Sequence, residues 1–334
     1  MGGLARKATV VDNLVNDGLE PLILDSGNLF YKKDILDPGV EIETAKINAE
    51  IILESYNKIG CHAFSPGSFD FAAGYDNILA LYNDSKFPFV SCNIVNAKDK
   101  LIFDPYVIIK RNKMKIGVIG LASIFESNGI EVLNPIQALE NIIDEVDNKT
   151  DFIVLLFNAT DQDLNKLYNK NFNIDVILKS KGRTRSSDGG SKIPTFIAGD
   201  RGKIVYKIDF SILDKELPLV DIAWCENTIS RVNSRLEKMK KGDVENSLYD
   251  IYKNDQTTLN RIKNYNNQIE KANNLLVNAI NTISFEKIEL GKSIFDKPAI
   301  LKIIDKGKVK IADLQSIPIE NNLNGPQIIA PIGN

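Results

Sequence analysis

The sequence predicts an α/β protein followed by a mostly helical extension. Three observations carry this. Apolar runs of strand length alternate with amphipathic stretches over the first two-thirds of the chain. After about residue 215 the apolar spacing becomes helical. The composition is that of a folded chain, with 43% hydrophobic and 25% charged residues and a net charge of −3.

Taken in order, Pro21 to Asp25 reads as a buried strand. Lys46 to Ile59 places Ile47, Ile51, Leu53 and Tyr56 near helical spacing, and Gly60 ends that helix. Phe87 to Asn93 reads as a further strand, and Leu101 to Lys110 with Lys115 to Leu121 as a pair across Arg111-Asn112-Lys113. Phe152 to Phe157, Ile174 to Leu178 and Thr195 to Ala198 repeat the buried-strand pattern, and Lys203 to Phe210 alternates like a half-exposed strand. Beyond residue 215, Ile229, Val232, Leu236 and Met239 follow a 3-4-3 spacing that Gly242-Asp243 breaks. Leu259, Ile262, Ile269, Ala272, Leu275, Leu276, Ala279, Ile280 and Ile283 resume it. The expectation is a helical hairpin whose long arm, from about residue 244 to 284, would measure ~60 Å at 1.5 Å per residue. The part of such an arm that outruns the shorter helix would need another cover, the sandwich, the helix from Asp296 or a second chain, with at least one contact between chains expected. Asp296-Lys297-Pro298 is a helix start, and the last residues, rich in Pro and Gly, read as an extended tail. The organisation expected is therefore 1–215, 216–313 and 314–334.

The near-neutral charge argues against nucleic acid as a partner. No apolar run approaches the ~20 residues of a membrane span. Met1 leads into Gly2-Gly3-Leu4-Ala5-Arg6 without the basic start and apolar core of a secretory leader. Cys61, Cys92 and Cys225 are far apart and suggest neither a disulfide framework nor a metal site. His62 is the only histidine, and it is expected to be a hydrogen-bonded structural residue.

Several segments nevertheless carry a resemblance. Gly2 to Thr9, Leu24 to Phe30, Ser65 to Gly74, Phe87 to Ile94, Lys115 to Ser123, Ile174 to Arg183 and Ala198 to Lys203 occur in one order over about 200 residues. In that order they resemble the calcineurin-like metallophosphoesterases, in particular the 5'-nucleotidase branch. The resemblance implies a sandwich of two mixed sheets flanked by helices. It also implies two metal ions about 3.5–4 Å apart that clamp a phosphoryl group and activate water. It weakly favours the periplasm or cell exterior as compartment.

Carried over residue by residue, the resemblance leaves little of that chemistry. The aspartate-x-histidine motif would precede Met1. Asn28 stands at the bridging aspartate, Ser68 at the asparagine ligand, Phe69 at the catalytic histidine and Asn158 at a histidine ligand. Lys181 and Arg183 stand at the final histidine pair, and neither ligates a metal at neutral pH. Asp25, Asp70, Asp161 and Asp163 are the nearest carboxylates. Asp25 should be a structural residue paired with the amides of Ser26 to Asn28 or with Arg183, and Asp161 and Asp163 should cap the next helix. Lys181, Arg183 and Arg185 form a candidate anion-binding loop.

The expectation is a catalytically degenerate, cofactor-free 5'-nucleotidase-like protein. It would act as a binding or assembly module through its helical extension. The alternatives are a phosphoesterase with an atypical or N-terminally completed metal site, and a phosphate or nucleotide sensor using the basic loop.

Overall fold

A computed structural model describes residues 2–180, 193–197, 199, 202–214, 217–243 and 245–316. The order begins with α1 (Gly2–Asn16), β1 (Leu24–Asp25), α2 (Val40–Ile59), β2 (Ala63–Phe64) and α3 (Tyr75–Asp84), with a 3-10 turn at Ser68–Phe71. It continues through β3 (Ile94–Asn96), β4 (Tyr106–Arg111), β5 (Met114–Ala122), β6 (Ile130–Val132), α4 (Pro135–Glu140) and α5 (Ile143–Asp147). Then come β7 (Phe152–Asn158), α6 (Asp161–Tyr168), β8 (Val176–Lys179), β9 (Thr195–Ile197) and β10 (Ile204–Ser211). The last third holds β11 (Leu219–Asp221), α7 (Ile222–Met239), α8 (Leu248–Ile251), α9 (Gln256–Val277), β12 (Asn281–Glu289) and α10 (Pro298–Ser316).

The central sheet has the order β4-β5-β7-β8-β9. Only β4 is antiparallel to its neighbour; β5, β7, β8 and β9 run parallel. All seven residues of β7 are buried, as a parallel strand covered on both faces requires. On one face Leu121 and Leu155 pack in a core with Leu139 of α4, Val146 of α5 and Leu167 of α6. The other packs Val118, Phe152, Val154 and Phe196 against a second layer.

That second layer contains the parallel pair β1-β2, continued by bridges from Phe64 to Phe89 and from Val90 to Asp104, and the sheet β10-β12-β11. Phe152 stacks on Phe210 with centroids 4.4 Å apart, tying the two sheets together. Behind β1-β2, helices α2 and α3 bury Tyr56, Ile78, Phe64 and Phe89. Helix α10 returns to α1 and α2 through Ile300, Ile303 and Ile304. The architecture is an α/β sandwich of mixed sheets flanked by helices, with a helical hairpin in the C-terminal part.

Two expectations are corrected. Phe87 to Asn93 is extended but not a regular strand, since Pro88 lacks an N–H and regular pairing starts only at Ile94. The long helical arm does not exist: α9 stops at Val277 after 22 residues, about 33 Å. The chain then turns into β12, where Ile283 lies fully buried opposite Phe210. Asn281 forces that turn. Its side chain donates to the carbonyls of Asp214 and Leu217 and accepts the amides of Leu213 and Asp214. Ala279, Ile280 and Ile283 fit a helical spacing by coincidence, while Ile283 and Phe285 keep the period of two that the strand uses.

The hairpin is self-contained. Val232, Leu236, Ile262, Leu259, Tyr265 and Ile269 pack together towards its tip, and Cys225, Ala272, Leu275 and Leu276 at its base. Most of the helical part of the expected stripe is thus covered by α7 and Ile283 by the sandwich, while Ile280 is 45% exposed.

Candidate functional site

The described residues among those singled out in the sequence collect where β5, β7 and β8 end, facing the loops that follow β1 and β2. Crevices outside the carboxyl ends of parallel strands are where α/β sheets place their sites. Gly27 and Asn28 both adopt positive φ, 100° and 57°. Two left-handed residues in succession turn the loop back on itself, so the amides of Asn28, Leu29 and Phe30 point the same way.

Those amides converge on Asp70. Its Oδ2 accepts from Asn28 (2.7 Å) and Gly67 (2.8 Å), and its Oδ1 from Leu29 (2.8 Å) and Phe30 (2.9 Å). Asp70 is only 1% exposed. Burial pushes its carboxyl up to about 6, against the pull of the amides. Asp70 therefore fastens the loop after β1 to the turn after β2.

Asn28 adds a second tie, its Oδ1 accepting the Phe69 amide at 3.1 Å. Asn158, at the buried end of β7, donates through Nδ2 to Ser180 Oγ at 2.5 Å, and its carbonyl accepts the Ser123 amide. Gly67 lies between the two asparagines: a Cβ there would collide with the Asn158 amide and the Asn28 carbonyl oxygen. Asn28, Gly67-Ser68-Phe69, Asn158 and Ser180 thus meet. Lys181, Arg183 and Arg185 lie outside the described residues.

Asp25 ends β1 beside this point. Tyr56 Oη donates to its Oδ2 at 2.7 Å and the Gly27 amide to its Oδ1 at 3.1 Å. The nearest described cation is Lys7, whose Nζ is 4.0 Å away and 2.5 Å from Tyr56 Oη. The expected pairing with loop amides is present at Gly27, with Lys7 as the accompanying charge.

At the start of α6 the N-cap is Thr160, whose hydroxyl accepts the Asp163 amide. Burial opposes ionisation of Asp163, but hydrogen bonds from Ser123, Lys166 and Thr160 hold its carboxyl below the usual range. Asp161 pairs with Lys179, a lysine 3% exposed at the end of β8. Sequence reasoning passed over Lys179; the available signal was a cation closing the apolar run Val176-Ile177-Leu178.

His62 lies apart, before β2. The Ile23 amide donates to its Nδ1 at 3.1 Å, and the Arg111 guanidinium is 2.5 Å from Nε2. Burial and the Arg111 charge lower its pKa.

The described residues do not fit a pair of divalent ions. Asn28, Ser68, Phe69 and Asn158 are uncharged, Asp70 is taken up by four amides, and Asp25 by Tyr56 and Gly27. Among the described residues no three His, Cys, Asp or Glu side chains converge as a metal would need.

No protein-family model matches the sequence. A 5'-nucleotidase of Vibrio parahaemolyticus is 29% identical over 126 residues, covering 36% of this chain and 21% of the relative. A 5'-nucleotidase of Vibrio cholerae is 28% identical over 160 residues, covering 44% and 28%. The matches thus span under a third of either relative's length. Among solved structures, the calcineurin-like phosphoesterase YfkN of Bacillus subtilis superposes with a TM-score of 0.60 at 14% identity, over 93% of this chain and 90% of its own. A 5'-nucleotidase precursor of Thermus thermophilus gives 0.53 at 18% identity, over 64% and 46%.

Proposed function

We propose that this member of the calcineurin-like phosphoesterase superfamily is catalytically degenerate and serves as a binding or assembly module. One observation carries the reading. The loops that would hold metal ions are tied to each other by Asp70, Asn28 and Asn158 through hydrogen bonds that leave no set of anionic ligands. A dinuclear mechanism needs charge-neutralising ligands that hold each ion at fixed geometry. Neutral amides and hydroxyls do not supply that charge.

The test is hydrolysis of phosphate monoesters, phosphodiesters and nucleotides by the purified chain in excess Mn²⁺. The expected result is no turnover above the metal-only control. Turnover that saturates with substrate would refute the proposal.

A second reading, a phosphate or nucleotide binder, is favoured by Lys179, a buried cation at the strand ends beside the Asn158–Ser180 pair. Lys181, Arg183 and Arg185 would extend its charge. A rise in melting temperature with inorganic phosphate or nucleotide would support it, since a ligand that binds only the folded chain stabilises it.

A further inference from the structure

The hairpin β4-β5 breaks three local rules within six residues, at the edge of the central sheet opposite the candidate site. Lys110-Arg111-Asn112-Lys113-Met114-Lys115 holds four cations and no acid, in a chain whose net charge is −3. The register sets Lys110 directly opposite Lys115, a like-charge cross-strand pair that weakens a hairpin. Asn112 and Lys113 form the two-residue turn with φ of 45° and 70°, where glycine is the favoured second residue and lysine is strained. On the opposite face the Arg111 guanidinium touches His62, and its Nε is buried without an acceptor. Lys110, Lys113 and Lys115 are exposed and make no ion pair among the described residues. Asp151 accepts the Lys115 backbone amide at the foot of the hairpin.

Conflicts that cost stability and cluster in one place mark sites kept for another purpose. We propose that the tip of the β4-β5 hairpin is a docking surface for an acidic segment of a partner protein. Carboxylates from such a segment would separate Lys110 from Lys115 and pair with the exposed Lys113. Nucleic acid fits less well, because its binders carry an extended basic stripe on a basic domain, and this chain has a pI of about 5.5. A membrane surface fits less well too. Polybasic contacts need a second, apolar anchor for stable attachment, and the tip offers only the half-buried Met114. The inference rests on the binding-module reading but not on the loss of catalysis, so failure here would leave the hydrolysis test standing.

The experiment measures binding of a fluorescein-labelled oligoglutamate to the full chain at low salt, with phosphatidylserine vesicles and a single-stranded oligonucleotide as parallel probes. Two variants, Lys110→Glu and Lys113→Gly, are compared with the parent. The first turns a repulsive pair into an attractive one, and the second relieves the strained turn, so both should melt a few degrees higher. Both should bind oligoglutamate more weakly, Lys110→Glu by about tenfold. Higher stability with weaker binding separates lost docking from failed folding. Should Lys110→Glu melt lower, Lys113→Gly decides alone. No oligoglutamate binding by the parent, binding unchanged in the variants, or tighter binding of vesicles or oligonucleotide would overturn the proposal.

Discussion

Four backbone amides end on the carboxylate of Asp70, and Asn is the smallest change that tests them. Asp70→Asn keeps the size but replaces one acceptor oxygen with a donor that would face two of those amides. The expected loss is about 3 kcal/mol, read from denaturant midpoints, because buried groups are left facing like groups. Asp25→Ala should cost less, about 1–3 kcal/mol, since Asp25 is partly exposed and the groups left behind are Tyr56 Oη, the Gly27 amide and Lys7. Acidification gives a second handle. Burial raises both Asp70 and Asp175 to about 6 from the ordinary 3.8 of an aspartate. Between those values the folded chain holds protons that the unfolded chain has released. These two groups therefore make stability fall as pH rises through the window and level off above about 6. His62, with its lowered pKa, opposes them below the ordinary 6.5 of a histidine. Denaturation midpoints measured across the window should show a shallower fall with pH in Asp70→Asn than in the parent; an identical slope would mean Asp70 does not titrate there. The positions of Asn28, Ser68, Phe69 and Asn158 were legible in the sequence because motif order fixes which strand ends meet. The hydrogen bonds made around these positions were not legible. The Asp70 bonds depend on two consecutive left-handed residues, and Lys7 reaches Asp25 from a helix that begins the chain.

At the scale of elements, α10 rests on α2 through Gly307. A Cβ there would collide with the Ile51 side chain, which is 3% exposed and has little room to move. Helix propensity alone would make Gly307→Ala stabilising by about 1 kcal/mol. Overpacking at a closed contact costs about 1–3 kcal/mol, so a net loss is expected. A melting temperature above the parent's would show that Ile51 repacks freely. The hairpin offers a complementary test. Ile262 is fully buried between α7 and α9, so Ile262→Lys should expose the hairpin to hydrogen exchange while β5 and β7 stay protected. Loss of protection throughout would mean that hairpin and sandwich unfold as one unit. The hairpin's existence and its α7 arm were readable from periodicity. Its far end was not, because Ala279, Ile280 and Ile283 satisfy a helical pattern that only the long-range bonds of Asn281 overrule.

For the whole molecule, the sheet β10-β12-β11 joins a strand before residue 215 to two strands after it. The C-terminal part is therefore built into the sandwich through β12 and α10 as well as carrying the projecting hairpin. Much of the helical stripe is covered by α7, and the partner surface we propose lies in charge, at the β4-β5 tip. The loops at the opposite end of the central sheet are cross-linked by Asp70, Asn28 and Asn158. A fold that secures these loops through its own hydrogen bonds does not need metal ions to order them. Calorimetric titration of Mn²⁺ into the metal-free chain tests this most directly. The account predicts no saturable binding tighter than millimolar and no change in melting temperature. Saturable, micromolar binding of two ions per chain would contradict it.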